Sequence, residues 1–144
     1  MKGFGEKNQS KKIKKPKNIQ KVNIDQLIIN AFELQAQGRK LEAAKHYKYL
    51  ILQGIKDYRI FANYGIFLNE IGKYREAELE LKKAISLNPK YANAYYNLAV
   101  LFMGQGNLDK AELELKRAIK LKSNFAIAHY NLGLILKDLG RLKE

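Results

Sequence analysis

A 34-residue period runs through this chain and constrains its fold before any residue chemistry is considered. The six residues that begin at Ala77, with the sequence AELELK, recur unchanged from Ala111. Residues 58–91 and 92–125 are identical at 11 of 34 positions, and the flanking sequence follows the same frame without a gap. The frame divides the chain into the repeats 24–57, 58–91 and 92–125 and the partial repeat 126–144.

Glycine and small apolar residues dominate the recurring positions, which is typical of stacked helical hairpins. A glycine follows the first apolar-periodic run of every repeat, where a residue in the left-handed conformation ends the helix and lets the chain turn back. These glycines are Gly38, Gly72, Gly106 and Gly140. The pattern predicts an all-α chain, with helices at about 24–37, 40–53, 58–71, 74–87, 92–105, 108–121 and 126–139.

A second set of small residues marks the places where two helix backbones must approach closely. At these positions a larger side chain would cost about 1–3 kcal/mol through overpacking. The set comprises Ala43, Ala77, Ala111, Gly65, Ala99 and Gly133.

These features together resemble the tetratricopeptide repeat (TPR) family, whose unit combines large residues at positions 4, 7, 11 and 24 with small ones at 8, 20 and 27 and glycine near 15. The second repeat matches with Phe61, Tyr64, Gly65, Leu68, Gly72, Tyr74, Ala77, Leu81, Ala84 and Pro89, and the third with Tyr95, Leu98, Ala99, Phe102, Gly106, Leu108, Ala111, Leu115 and Ala118. The first repeat is more degenerate, with Asn30 in a large apolar position and Leu50 in a small one. The resemblance implies a right-handed superhelical solenoid of antiparallel helix hairpins, with three full TPRs and the first helix of a fourth.

The positive charge is unevenly distributed. Of the net charge of +13, residues 1–22 contribute +7, from eight lysines against Glu6. This composition is too polar and self-repelling to fold alone, so we interpret residues 1–22 as a disordered basic leader and residues 23–144 as the TPR domain. The leader could bind nucleic acid, an acidic membrane surface or an import receptor. A solubilising tail is the preferred interpretation, and nucleic acid is disfavoured because no aromatic residue is interleaved to stack on bases.

Several classes of function find no support in the composition. The chain contains no cysteine, no apolar run approaches the length of a membrane span, and no secretory signal is present, so we predict a cytoplasmic location. His46 and His129 have no metal-ligand neighbours at useful spacing, and we predict no cofactor and no enzyme activity. Glu76, Glu78, Glu80, Glu112 and Glu114 are interpreted as a solvated outer face, with Glu78–Lys82 and Glu112–Lys116 as i,i+4 pairs.

The resemblance also implies where a ligand would bind. In TPR stacks the first helix of each hairpin lines a concave surface, and position 6 is asparagine in three successive repeats, as Asn63, Asn97 and Asn131. Such amides can both donate to and accept from a peptide backbone. The other implied groove residues are Ile28, Phe32, Ala62, Ile66, Tyr96, Val100, Met103, Tyr130 and Leu134, flanked by Arg59 and Asn93. Asparagine is frequent at this position in TPR sequences, so family ancestry alone also explains the column.

We therefore expect a non-catalytic scaffold that binds a peptide or partner helix in the groove. The alternatives are a regulatory or substrate-presenting arm of a larger enzyme such as a transferase, and nucleic-acid binding through the leader. The carboxylate clamp of chaperone-binding TPRs is not reproduced, because its lysine and arginine positions hold residues such as Ile28 and Asn93. We do not expect a receptor for acidic C-terminal tails.

The last repeat suggests a further expectation. Residues 126–144 stop one residue before the next small-residue position, and their helix is too apolar for a cap, with Leu132, Ile135, Leu136, Leu139 and Leu142. We expect the N-terminal portion of a longer protein, with self-association through the open C-terminal end.

Overall fold

Seven α-helices follow one another through residues 23–140, the part of the chain that the computed structural model describes. They are α1 (Ile24–Ala36), α2 (Lys40–Leu52), α3 (Tyr58–Glu70), α4 (Tyr74–Leu87), α5 (Ala92–Gly104), α6 (Leu108–Leu121) and α7 (Ala126–Asp138). Each predicted boundary is confirmed to within one residue, and residues 23–140 contain no strand. The predicted basic leader, residues 1–22, and the end of the partial repeat, residues 141–144, lie outside the described residues.

Left-handed glycines end the first helix of every hairpin, as the sequence predicts. The φ angles of Gly38, Gly72, Gly106 and Gly140 are 77°, 79°, 71° and 68°. Gly54 is a fifth glycine in this conformation, with φ 79°. It follows α2, the second helix of its hairpin, whereas the other four follow a first helix. Its counterparts in the next two repeats, Asn88 and Lys122, are extended, with φ −140° and −137°. The first repeat therefore leaves its second helix by a different turn.

The helices pack in chain order, each against its neighbours, and adjacent repeats bury apolar residues between them. One cluster of buried residues extends from Leu68 on α3 to Ile135 on α7. A second cluster holds the degenerate first repeat together, and within it Tyr47 is 1% exposed and donates a hydrogen bond to Gln35 Oε1 at 2.9 Å. Burial raises the pKa of Tyr47 above its ordinary value. Leu50, despite its size, is 2% exposed in the same cluster.

Candidate functional site

The three asparagines of the repeated column differ in what their side chains contact. The Asn63 amide donates to the backbone oxygen of Arg59 at 2.9 Å, one turn earlier on α3. The Asn131 amide donates to the Tyr96 hydroxyl at 3.4 Å, which joins α7 to α5. The Asn97 side chain, on α5 between them, makes no hydrogen bond to any residue in the described range. The middle amide of the column is thus available to an incoming backbone.

Five of the implied groove residues line one depression of about 390 Å³, which lies between α3, α5 and the loop that leads into α7. They are Asn63, Ile66, Asn93, Tyr96 and Asn97. Three further lining residues, Tyr91, Lys122 and Phe125, were not anticipated. Tyr91 and Phe125 end the second and third repeats, so an aromatic residue recurring at the last position of the unit was the available signal.

Contacts between rings and with a neighbouring amide hold the aromatic side chains of this depression in place. The ring centroids of Tyr96 and Phe125 are 5.1 Å apart, and Tyr91 packs edge-on against Tyr58 at 4.8 Å. Aromatic pairs at these separations contribute about 0.5–1.5 kcal/mol beyond their burial. The Tyr96 hydroxyl also accepts a hydrogen bond from Asn131. These contacts hold the aromatic walls of the depression in place without a ligand.

The two cations near this part of the groove are in opposite electrostatic states. Arg59 Nη2 is 2.7 Å from Asp57 Oδ2 and 3.0 Å from Asp25 Oδ1, so its charge is neutralised within the protein. The hydrogen bonds from Asp57 and then Asp25 raise the pKa of Arg59, and the Arg59 guanidinium lowers the pKa of Asp57. Lys122 Nζ lies 4.7 Å from the centroid of the Phe125 ring and forms no ion pair with a described residue. Its charge is therefore not balanced by a carboxylate among the described residues.

Two residues implied for the groove are core residues instead. Ile28 is 0% exposed in the cluster with Ala31 and Ile60, and Ala62 is 1% exposed beside Ala84. The expectation that they face a ligand is wrong, because the next repeat covers them.

The remaining groove residues lie outside the depression or on its flanks. Phe32 is half-buried against the Tyr47 ring, and Val100 and Met103 are half-buried on α5. Tyr130 and Leu134 are 66% and 39% exposed on α7.

The outer-face carboxylates also need a correction. The pairs Glu78–Lys82 and Glu112–Lys116 form, each at 2.6 Å, but Glu80, Glu112 and Glu114 are buried instead of solvated, at 9%, 6% and 7% exposure. Each of these three glutamates pairs with a lysine or an arginine whose side chain remains exposed.

The histidines occupy unremarkable surroundings. His129 Nε2 is 2.8 Å from the backbone oxygen of Ser123, and His46 lines an apolar pocket of about 310 Å³ with Leu27 and Tyr49. In residues 23–140 no three potential metal ligands of the His, Cys, Asp and Glu types come together. No helix of that range has the length and apolar character needed to cross a membrane.

Comparison with known proteins places the chain among repeat proteins. A family model described as the Cilia and flagella-associated protein 70 middle TPR-like domain matches residues 27–143. No curated protein matches the chain.

Solved structures with the same fold include MamA, with TM-score 0.77 and 25% identity over 84% of this chain and 71% of MamA. A mutant O-GlcNAc transferase of Thermobaculum terrenum has TM-score 0.74 and 25% identity over 78% of this chain, which spans only 22% of the transferase. The Yersinia enterocolitica type III secretion chaperone SycD, in complex with a peptide of the translocator YopD, has TM-score 0.72 and 23% identity over 84% of this chain and 95% of SycD.

Proposed function

The chain belongs to the tetratricopeptide-repeat family, in the group described as the Cilia and flagella-associated protein 70 middle TPR-like domain, and on that premise we propose that it is a non-catalytic protein-interaction scaffold. Its ligand is an extended peptide segment or a helix of a partner protein, bound along the concave groove. A cytoplasmic location is part of the same proposal.

The main support for this proposal is that the Asn97 side chain has no hydrogen-bond partner among the described residues. Its amide has no partner among the described residues, whereas Asn63 and Asn131 on either side are engaged within the protein. A side-chain amide has two donor hydrogens and an acceptor oxygen, which can pair with the N–H and C=O groups of one extended residue. Peptide recognition through main-chain hydrogen bonds gives affinity, and adjacent pockets for side chains give specificity.

The surroundings of Asn97 support a peptide over a small polar metabolite. Apolar and aromatic groups from α3, α5 and the loop that leads into α7 flank the amide, and the exposed side chains of Tyr130 and Leu134 on α7 add further apolar surface. The complex of SycD with a YopD peptide is a precedent for peptide binding by a protein of this fold. The sequence identity of 23% supports similarity of the fold alone.

The test is selection from a random peptide library displayed on phage, followed by fluorescence anisotropy with the selected peptides. We expect Asn97→Ala to weaken binding by about 10-fold, because the ligand backbone loses hydrogen bonds and its own polar groups stay unpaired, at roughly 1–2 kcal/mol. The matched control is Asn30→Ala. Asn30 is an exposed helical asparagine that does not line the depression, and its Oδ1 accepts a hydrogen bond from Gln26 Nε2 at 2.9 Å. Selected peptides that bind the Asn97→Ala and Asn30→Ala variants equally well would contradict the proposal.

A second candidate is the arm of a larger enzyme that regulates it or presents its substrate. The likeness to an O-GlcNAc transferase, of which this chain spans 22%, supports it. The full reading frame of the gene tests this candidate directly, because a catalytic domain in the same polypeptide is its requirement.

Binding of nucleic acid through the leader is the third candidate, and it depends on residues outside the described range. Removal of residues 1–22 would abolish a steeply salt-dependent affinity if the leader bound phosphates, and would leave groove binding unchanged.

A further inference from the structure

The depression beside Asn97 combines fixed aromatic walls with one open cation. Tyr96 and Phe125 pack at 5.1 Å, and Lys122 Nζ lies 4.7 Å from the centre of the Phe125 ring. The ammonium therefore stands at the wall of the cavity, next to the apolar surface that a ligand side chain would contact.

Among the described residues that line the depression, Lys122 is the only charged one. None of the residues described as lining it carries a carboxylate. Arg59, the nearby cation, is held by Asp57 and Asp25 at 2.7 and 3.0 Å. Tyr91 and Phe125, which line the depression, are the N-cap residues of α5 and α7 and make no side-chain cap hydrogen bond, so the positive ends of these helices add to the potential from Lys122. The local field favours a negative group.

The size of the depression limits what enters it. Ligand pockets enclose about 300–1,000 Å³, so the depression, at about 390 Å³, is at the small end of that range and has room for one or two side chains of a longer segment. In an extended peptide, residues two apart point to the same side and are about 6.6 Å apart. A side chain in the cavity therefore leaves the next residue, or the one after it, within reach of the lysine.

We propose that this depression is the specificity subsite of the groove: it receives one large apolar side chain, while Lys122 pairs with an aspartate or glutamate side chain one or two residues away. The inference rests on the proposed function and names the class of peptide that the groove selects. That class is an internal segment in which a large apolar residue stands close to an acidic one.

The first experiment is the consensus of the peptides that the unmodified chain selects from the random library. We expect a large apolar residue with Asp or Glu one or two positions away. One selected peptide, capped at both ends and labelled, then serves as the anisotropy probe, beside versions with its acidic residue changed to Gln or Lys. Binding that requires a free C-terminal carboxylate would overturn the assignment of Lys122 to a side-chain partner.

The second experiment reverses the charge of the protein. Lys122→Glu should weaken binding of the acidic probe by about five- to tenfold and strengthen binding of the lysine version, because an attraction becomes a repulsion. Lys56→Glu is the control, since Lys56 is an exposed lysine in the equivalent loop two repeats earlier and does not line the depression. Equal effects of the two substitutions, or no exchange of preference, would overturn the inference.

The outcomes separate this inference from the proposed function. Peptides that bind with dependence on Asn97 but without an acidic residue leave the function standing and refute the subsite. A library that yields no peptide dependent on Asn97 refutes both.

Discussion

Asp25 and Arg59 occupy the same position in successive repeats, and their side chains meet at 3.0 Å between Oδ1 and Nη2. The contact joins the first turns of α1 and α3, the two helices that begin the groove. Arg59 also pairs with Asp57, which caps α3 by accepting from the Arg59 backbone N–H at 2.9 Å. The residue implied as a ligand contact is thus a link between repeats.

The Asp57–Arg59 pair predicts an acid-dependent loss of stability. Because Arg59 lowers the pKa of Asp57 below its ordinary value of 3.8, the pair stabilises the fold above that value, and the contribution is lost as pH falls through the lowered pKa. Asn can keep the cap, so Asp57→Asn should cost about 0.5–1 kcal/mol at about pH 7 and less at about pH 2, where more of the Asp57 carboxylate is protonated. Urea unfolding at both pH values measures this. Glu33→Gln, at an exposed residue with no ion pair in the described range, should show no such difference, and an equal cost of Asp57→Asn at both pH values would contradict the prediction.

Gly65 and Gly133 share one repeat position but should respond in opposite directions to alanine. A Cβ on Gly65 would meet Leu81 Cγ at 2.9 Å and the Ala77 backbone oxygen at 3.3 Å, and Leu81 is fully buried. We expect Gly65→Ala to lower the free energy of unfolding by about 1–2 kcal/mol, from overpacking partly offset by helix propensity.

A Cβ on Gly133 meets no described atom within 4 Å. Gly133→Ala should therefore raise stability by up to about 1 kcal/mol, the gain in helix propensity. Thermal unfolding followed by circular dichroism compares the two variants, and a stabilised Gly65→Ala chain would refute the close approach.

Glu114 is a buried carboxylate with one oxygen, Oε2, that has no partner within the described residues, while Oε1 bonds Arg117 at 2.8 Å. Leaving a buried acceptor unpaired costs about 1–3 kcal/mol, and an ion pair to a half-exposed arginine returns about 0–1 kcal/mol. Glu114→Met should raise the free energy of unfolding by about 1 kcal/mol. Glu78→Met, at a more exposed partner of Lys82, is the control and should change stability by less than about 0.5 kcal/mol. Destabilisation of the Glu114→Met chain would show that the carboxylate has a role that its contacts do not reveal.

Acidic C-terminal tail peptides should bind weakly. Recognition of a free carboxylate by a clamp depends on charged donors, and the two positions compared with the clamp in the first repeat hold Ile28, which is fully buried, and Phe32. We expect no saturable binding below about 100 μM in anisotropy titrations of a labelled acidic tail peptide with a free C-terminus. Micromolar affinity for that peptide would contradict this prediction.

The apolar surface of α7 predicts self-association at high concentration. Ile135 and Leu136 are buried, and the exposed apolar residues are Ile127, Tyr130 and Leu134, at 51%, 66% and 39% exposure. Three such side chains on one helix face favour association. Light scattering across a concentration series should show a mass above that of one chain, and Tyr130→Lys should reduce it. A monomer at every concentration would end this idea.

The sequence alone determined the repeat frame, the seven helices and the left-handed glycines. These follow from local physics, because helix periodicity, chain reversal and the absence of a Cβ act within a few residues of each position. It also placed Asn63, Asn97 and Asn131 in one column, since equivalent positions of stacked repeats share a face.

Only the tertiary structure decided what each equivalent position does. Ile28, Ala62, Tyr96 and Tyr130 hold the same place in four repeats, yet the first two are buried, the third is half-buried and the last is exposed. Their exposure depends on the neighbouring repeat, which differs at each step along the stack. Likewise, Arg59 is neutralised by Asp25 and Asp57, which belong to the preceding repeat, whereas Lys122 forms no ion pair with a described residue. The sequence of a single repeat does not predict such differences.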